Sequence, residues 1–187
     1  MTYTAGPLDG AHAQLWSTAT FLGLRYRSFT SAAAPASTAW PANNDAVAVP
    51  FLVSTPVTFV RAYFISGSTP GTTNYDLGIY NDTFGLIRSI GATACVNSST
   101  AVQPVGGAAF TTPVTLTRGR YFMAMSAAAT SMTVRAQANA VQIYRAFGLF
   151  KMASAHPLPT TFVPAAMATS GFMPSMGLLT AASIILA

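Results

Sequence analysis

Val57 to Tyr80, VTFVRAYFISGSTPGTTNYDLGIY, decides the fold of this chain. Two runs rich in β-branched and aromatic residues flank a loop of glycine, serine, threonine and proline. In the first run, alternation puts Val57, Phe59, Arg61, Tyr63 and Ile65 on one face of a pleat, and Thr58, Val60, Ala62, Phe64 and Ser66 on the other. In the second, Tyr75, Leu77 and Ile79 alternate with Asp76, Gly78 and Tyr80. The pattern predicts two strands joined by a loop. Val60 and Phe64 stand opposite Phe59 and Tyr63, so both faces of the first strand are apolar, as in a subunit wrapped by neighbours.

The same signal continues on both sides. AVAVPFLV, Ala46 to Val53, reads as a strand that Pro50 confines to an edge or a bend. After Tyr80, Asn81-Asp82-Thr83-Phe84-Gly85 reads as a tight turn, with asparagine, aspartate and glycine supplying the unusual φ values. Leu86 to Ile90 returns as a strand, and Thr93 to Gly107 reads as a long surface loop with Cys95 and Gly106-Gly107. Phe110 to Leu116, Arg120 to Ser126 (Tyr121, Met123 and Met125 on one face) and Ser131 to Gln137 (Met132 and Val134 against Thr133 and Arg135) complete the set. Ala138 to Met152 reads as a turn or two of helix or equally as a strand with a bend, and Met176 to Leu186 as a closing strand or two. Short strands at this spacing, with little helix, predict an all-β antiparallel β-sandwich or jelly roll over residues 46 to 187.

Residues 1 to 45 differ. They hold one apolar cluster, Leu15 to Tyr26, between small-residue stretches, and end in the turn formers Pro41, Asn43 and Asn44. Such a segment cannot order itself alone, yet Trp16, Phe21, Leu22, Tyr26 and Trp40 make it too aromatic for a mere tail. Three readings stay open: extra strands on its own sandwich, an arm making assembly contacts with a neighbouring subunit through those five residues, or an unstructured leader.

Composition limits the function. Of 187 residues 51% are apolar and only 7% charged, with no glutamate and Lys151 as the one lysine. Soluble domains carry about 25% charged residues, so this surface suits either a membrane or a subunit hidden in an assembly. Alanines are scattered among threonines and serines with no run of about 20 apolar residues, and Gly171 to Ala187 is interrupted by Pro174, Ser175, Thr180 and Ser183. Assembly is the expectation, with no membrane partner. The net charge of +5 comes from singly placed or paired arginines, with no basic run and no aromatic–basic signature, so no specific nucleic-acid partner is expected. Cys95 is alone, so no internal disulfide forms. Met1 to Gly10 lacks the basic residues and apolar core of a signal peptide, which predicts synthesis in a cytoplasm.

Residues that carry chemistry are sparse. His12 and His156 lie far from any cysteine or carboxylate at metal-ligand spacing, and the lack of glutamate leaves little for paired-carboxylate hydrolysis. Asp76 and Asp82 with Asn74 and Asn81 could form a calcium-like cluster, but match no EF-type loop and are ordinary turn formers. Gly67 to Gly71 lacks the lysine and helix of a phosphate loop. Ser126 has no histidine near it in sequence. The expectation is no catalytic residue, no metal, no cofactor and no enzyme activity.

DLGIYNDTFGLIRSIGAT (Asp76 to Thr93) and TPVTLTRGRYFMAMSAA (Thr112 to Ala128) together resemble a β-sandwich module recurrent in tailed-bacteriophage virion proteins. There a strand ending in "GIY" turns through Asn/Asp-Gly, a "LtpGrYyla" hairpin follows, and a proline-rich stretch precedes the last strand. Here Arg118 stands where proline is common, and Pro157-Leu158-Pro159-Thr160-Thr161-Phe162 fits the later piece. The resemblance covers Ala46 to Ala187 and leaves the first 45 residues unexplained. It implies a non-enzymatic virion subunit of decoration, connector or fibre-base type. Its partners would be further copies of itself, as in a trimer, and capsid or tail proteins. It equally allows a receptor- or glycan-binding module of a tail or head fibre, in which Tyr75, Tyr80 and Trp40 would stack on sugar rings unless they serve as core or subunit contact.

Overall fold

The computed structural model describes residues 36–96, 102–138, 149–166 and 172–181. Among these there is no helix. The strands are β1 (Ala36–Ala39), β2 (Ala46–Val53), β3 (Val57–Ile65), β4 (Asn74–Tyr80), β5 (Leu86–Ser89), β6 (Thr93–Ala94), β7 (Val102–Leu116), β8 (Gly119–Ala127), β9 (Thr133–Ala138), β10 (Phe150–Met152), β11 (Ala165–Ala166), β12 (Phe172–Pro174) and β13 (Met176–Thr180). The pairings among them are antiparallel, and the sheets pack as a β-sandwich.

A central sheet runs β11-β10-β2-β8-β4-β5, with β6 beside β4. The second layer consists of β13-β3-β7 and β1-β9-β12. Its two parts join where the chain leaves β9 for β3 at Ser175, whose N–H donates to Arg135 O while its carbonyl accepts from Ile65 N–H. A Ser66–Val134 bridge closes the same seam.

The core between the layers follows from alternation. Val47, Val49 and Phe51 of β2, Tyr75, Leu77 and Ile79 of β4, and Met123 and Met125 of β8 project from the central sheet. They meet Phe59, Phe64, Val114, Met176 and Leu178, with Trp40, Val134 and Phe172 at the seam. Each large side chain removed from water contributes about 1.5–3 kcal/mol. The other face of the central sheet is buried too. Ala46, Ala48, Tyr80, Phe122 and Ala124 pack under Ala155, Leu158 and Phe162 from an irregular strap over residues 153–164. The AVAV of β2 thus separates two layers: valines face the thick core and alanines the strap, which lies close. Gly78 on β4 shows how close, since a Cβ there would sit 2.8 Å from Leu158 Cδ1 and 2.9 Å from the Arg88 carbonyl oxygen.

Several expectations are corrected. The strands of the opening stretch do form, but β3 and β4 lie in different layers, so the Gly-Ser-Thr-Pro loop crosses the sandwich. Strict alternation along β3 fails at Val60. There Phe59 to Arg61 on β3 spans two residues while Thr180 to Leu179 on β13 spans one. That bulge carries one extra residue and reverses the faces. Phe59 and Phe64, expected on opposite faces, therefore enter the same core. Residues 102–107, expected in a loop, extend edge strand β7; Pro104 and the glycines fall between the pairs Gln103–Phe64 and Ala108–Ala62, in a bulge where they owe the ladder no hydrogen bond. Of the two readings open for 138–152, strand holds at both ends, where Ala138 pairs with Phe172 and Phe150–Met152 pairs with β2; residues 139–148, and 182–186 of the expected closing strand, lie outside the described residues. Residues 36–45 belong to the sandwich, since β1 pairs with β9 and Trp40 N–H donates to Met132 O.

The 81–85 turn is built differently from the expectation. Asn81 Oδ1 accepts from Thr83 N–H at 3.0 Å, Thr83 Oγ1 at 2.9 Å and Gly85 N–H at 2.8 Å. The left-handed residue is Phe84, at φ 64°. Its ring stacks on Phe122 with centroids 4.6 Å apart and meets Phe150 edge-on at 5.2 Å. Stacking offsets a backbone cost of about 1–2 kcal/mol. Replacing Phe84 with alanine should therefore cost about 2–4 kcal/mol in urea unfolding, and glycine about 1 kcal/mol less, because it relieves the strain. A glycine variant less stable than the alanine variant would refute this account of the turn.

Candidate functional site

Trp16, Phe21, Leu22 and Tyr26 lie outside the described residues. The three remaining candidates are inside the domain's own packing. Trp40 is 1% exposed, meets Phe172 edge-on at 5.2 Å, and donates its indole N–H to Asp45 O at 3.0 Å. Tyr75 lies against Phe64 with ring centroids 4.8 Å apart, and Tyr80 packs edge-on to Phe162. Both tyrosines are fully buried. None of the three can stack on a sugar ring. Burial raises the Tyr75 hydroxyl well above its ordinary pKa, with Cys95 adding to it; burial raises Tyr80 too, with Asp76 adding. Cys95 is also buried, and desolvation lifts its thiol to about 11.

The fold brings together polar residues far apart in sequence. Asp76 on β4 and Ser126 on β8 are direct cross-strand partners, so their side chains share the outer face of the central sheet. His156, in the strap, lies with Nδ1 3.0 Å from Ser126 Oγ. This corrects the expectation that Ser126 lacks a histidine; a separation of 30 residues hid it. Leu158 N–H donates to Asp76 Oδ2 at 3.1 Å, and Tyr80 donates its hydroxyl to Pro159 O at 2.7 Å. Nearby, Ala155 N–H donates to Asn44 O, and Lys151 Nζ pairs with Asp45 Oδ2 at 2.6 Å.

Serine, histidine and aspartate are the residue types of nucleophilic hydrolysis, but their placement assigns another role. Ser126 is completely buried and Asp76 is 1% exposed. A substrate cannot reach the hydroxyl while the strap lies over it. The Asp76 carboxylate is directed at the Leu158 amide. The group therefore fastens the strap to the sheet. Burial holds Asp76 above the usual carboxylate range, opposed by the Leu158 amide, the Ser89 hydroxyl and the Leu77 and Gly91 amides. Burial likewise holds His156 below its ordinary pKa.

Asp82 is exposed in the 81–85 turn, apart from buried Asp76, so the calcium-like set does not converge. Among the described residues no three His, Cys, Asp or Glu side chains are grouped to hold a metal, and no helix is long and apolar enough to cross a membrane. A groove of about 400 Å³ at the β3 bulge is lined by Val60, Arg61, Phe110, Pro113, Leu179 and Ala181, among others, and holds no acid–base pair. No protein family, no curated protein and no solved structure matches the chain.

The raised pKa of Asp76 sets a pH dependence with a definite sign. In the unfolded chain the carboxyl titrates near about 3.9. A higher folded value means that its contribution to stability is complete below the unfolded pKa and is lost as pH rises through the folded one. Asp76→Asn keeps an acceptor for the Leu158 amide without the buried charge. Urea unfolding from acid to neutral pH should show wild type losing stability relative to the asparagine variant as pH rises. Parallel profiles would show that Asp76 titrates normally.

Proposed function

We propose that the chain is a structural subunit of a tailed-bacteriophage particle, working without catalysis as a decoration, connector or fibre-base building block. One observation carries the reading most directly: the chain turns its scarce chemistry inward. Of the three acidic residues among those described, Asp45 and Asp76 are buried in structural contacts, and Asp82 alone is exposed. A carboxylate-poor domain of this kind suits close packing against other proteins, as in obligate assemblies. The resemblance of Asp76–Thr93 and Thr112–Ala128 to virion sandwich modules supports the setting. In this reading the chain associates with copies of itself, a trimer being consistent with such particles, and docks on capsid or tail protein through residues 1–35. The alternative of a glycan-binding fibre module has less support, because Trp40, Tyr75 and Tyr80 are buried.

Mass spectrometry and immunogold electron microscopy of purified particles test this. The chain should be recovered in stoichiometric amounts at a fixed site on head or tail, and its confinement to the soluble fraction of infected cells would sink the proposal. A chain beginning at residue 36 should keep its β-sheet circular dichroism yet fail to enter particles. Normal incorporation of that shortened chain would remove the arm from the account while leaving the subunit role intact.

A further inference from the structure

The strap does not cover the whole outer face of the central sheet. It closes over Ala46, Ala48, Ala124 and Phe122. Beyond Phe122 the face continues as Leu52 and Arg120, direct partners across β2 and β8 whose side chains therefore point the same way. Leu52, next to last in β2, is 61% exposed although its strand is paired on that side with β8. Arg120 is also exposed, with its guanidinium carbon 5.0 Å from the centroid of the Phe122 ring. Phe122 is held from behind by Phe84 and Phe150. Arg118, exposed, stands in the turn that leads into β8. Neither Arg118 nor Arg120 is within ion-pair distance of a carboxylate among the described residues, where Asp45 is paired with Lys151 and Asp76 with the strap.

We propose that Leu52, Arg118 and Arg120 form a docking surface for an acidic segment of a different protein. An apolar side chain of the partner sits on Leu52, and its carboxylates meet the two guanidinium groups. Charge complementarity selects this occupant. A second copy of the chain has no glutamate and a net charge of +5, and a two-fold contact of this face with itself would set arginine against arginine. Nucleic acid calls for a run of cations following the phosphates, whereas here one arginine stands directly across from an exposed leucine and a second lies in the adjoining turn. The cation–π seat on Phe122 orients the planar fork of Arg120 before binding, which favours bidentate capture of a carboxylate. The proposal rests on the assembly reading only for the presence of such a partner in the particle.

Fluorescence anisotropy with the full chain tests the surface apart from any particle. Three labelled probes are compared: a short peptide of alternating glutamate and leucine, the same peptide with glutamine for glutamate, and a single-stranded DNA oligonucleotide. The glutamate peptide should bind, more weakly as salt rises. Arg118→Gln with Arg120→Gln should weaken it about tenfold or more, Leu52→Ser should weaken it severalfold, and Arg61→Gln in the other layer should leave it unchanged. Urea unfolding of each variant separates loss of binding from loss of fold. The proposal is overturned if the glutamate peptide does not bind, if the glutamine peptide binds equally, or if the substitutions leave binding intact. Preferential DNA binding abolished by the double arginine variant would overturn it in favour of a nucleic-acid surface. Failure here leaves particle location untouched, and a chain absent from particles leaves this measurement untouched.

Discussion

The structure depends on one constraint: the central sheet has two apolar faces and the second layer covers one of them. The other must be covered by a segment with no regular structure of its own. Such a segment carries backbone groups that a sheet would have satisfied automatically, and each needs a named partner. Leu158 N–H finds the Asp76 carboxylate, Ala155 N–H the Asn44 carbonyl, and Phe162 N–H the Phe84 carbonyl, while the Thr160 carbonyl accepts from Leu86 N–H. This explains why a buried sheet face holds an aspartate, a serine and a tyrosine hydroxyl. They supply the partners of the strap backbone and of His156. It also explains Gly78, which leaves room for Leu158 to approach the sheet.

Much of the fold was legible because alternation is a local property. β2, β4, β5, β8 and β9 fall where β-branched, aromatic and small residues alternate, and Met123 and Met125 face the core as their spacing implies. What escaped was non-local. The bulge at Val60 is visible only against the registers of the neighbouring strands β13 and β7, and nothing around Val60 itself marks an extra residue. The separation of β3 and β4 into two layers depends on pairing with β8 and β7, both more than 30 residues downstream. Val102 to Gly107 resembled a loop because its proline and glycines read as breakers, and only the register against β3 shows them bulged out of a continuing strand. The strap has no periodicity to read, and its proline-rich stretch was recognisable only by resemblance.

The polar cluster was harder still. Asp76, Ser126 and His156 come from two neighbouring strands and an irregular segment, so their meeting is a product of topology. Of the two readings open for the tyrosines, core contact and sugar stacking, topology again decides, since both are buried. Tyr80 sits at a strand end beside a turn, where an aromatic is easily read as exposed, but the strap lies over it and Pro159 O accepts its hydroxyl. Trp40 follows a small-residue stretch that looks like a linker, yet β1 carries it into the seam of the second layer. Composition measures how much apolar surface must be hidden. Topology decides which residues hide it.

That division bears on how the molecule meets others. With Asp45 committed to Lys151 and Asp76 to the strap, the described surface keeps cationic groups and loses nearly all its carboxylates. Contacts between identical copies must then rest on apolar and hydroxyl surface, such as the Thr58–Thr115 pair on the outer side of β3 and β7, whose hydroxyls are 2.8 Å apart. Contacts that use the arginines require a partner that brings its own negative charge. In the proposed assembly, the same shortage of carboxylates puts contacts between copies and contacts with an acidic partner on different faces.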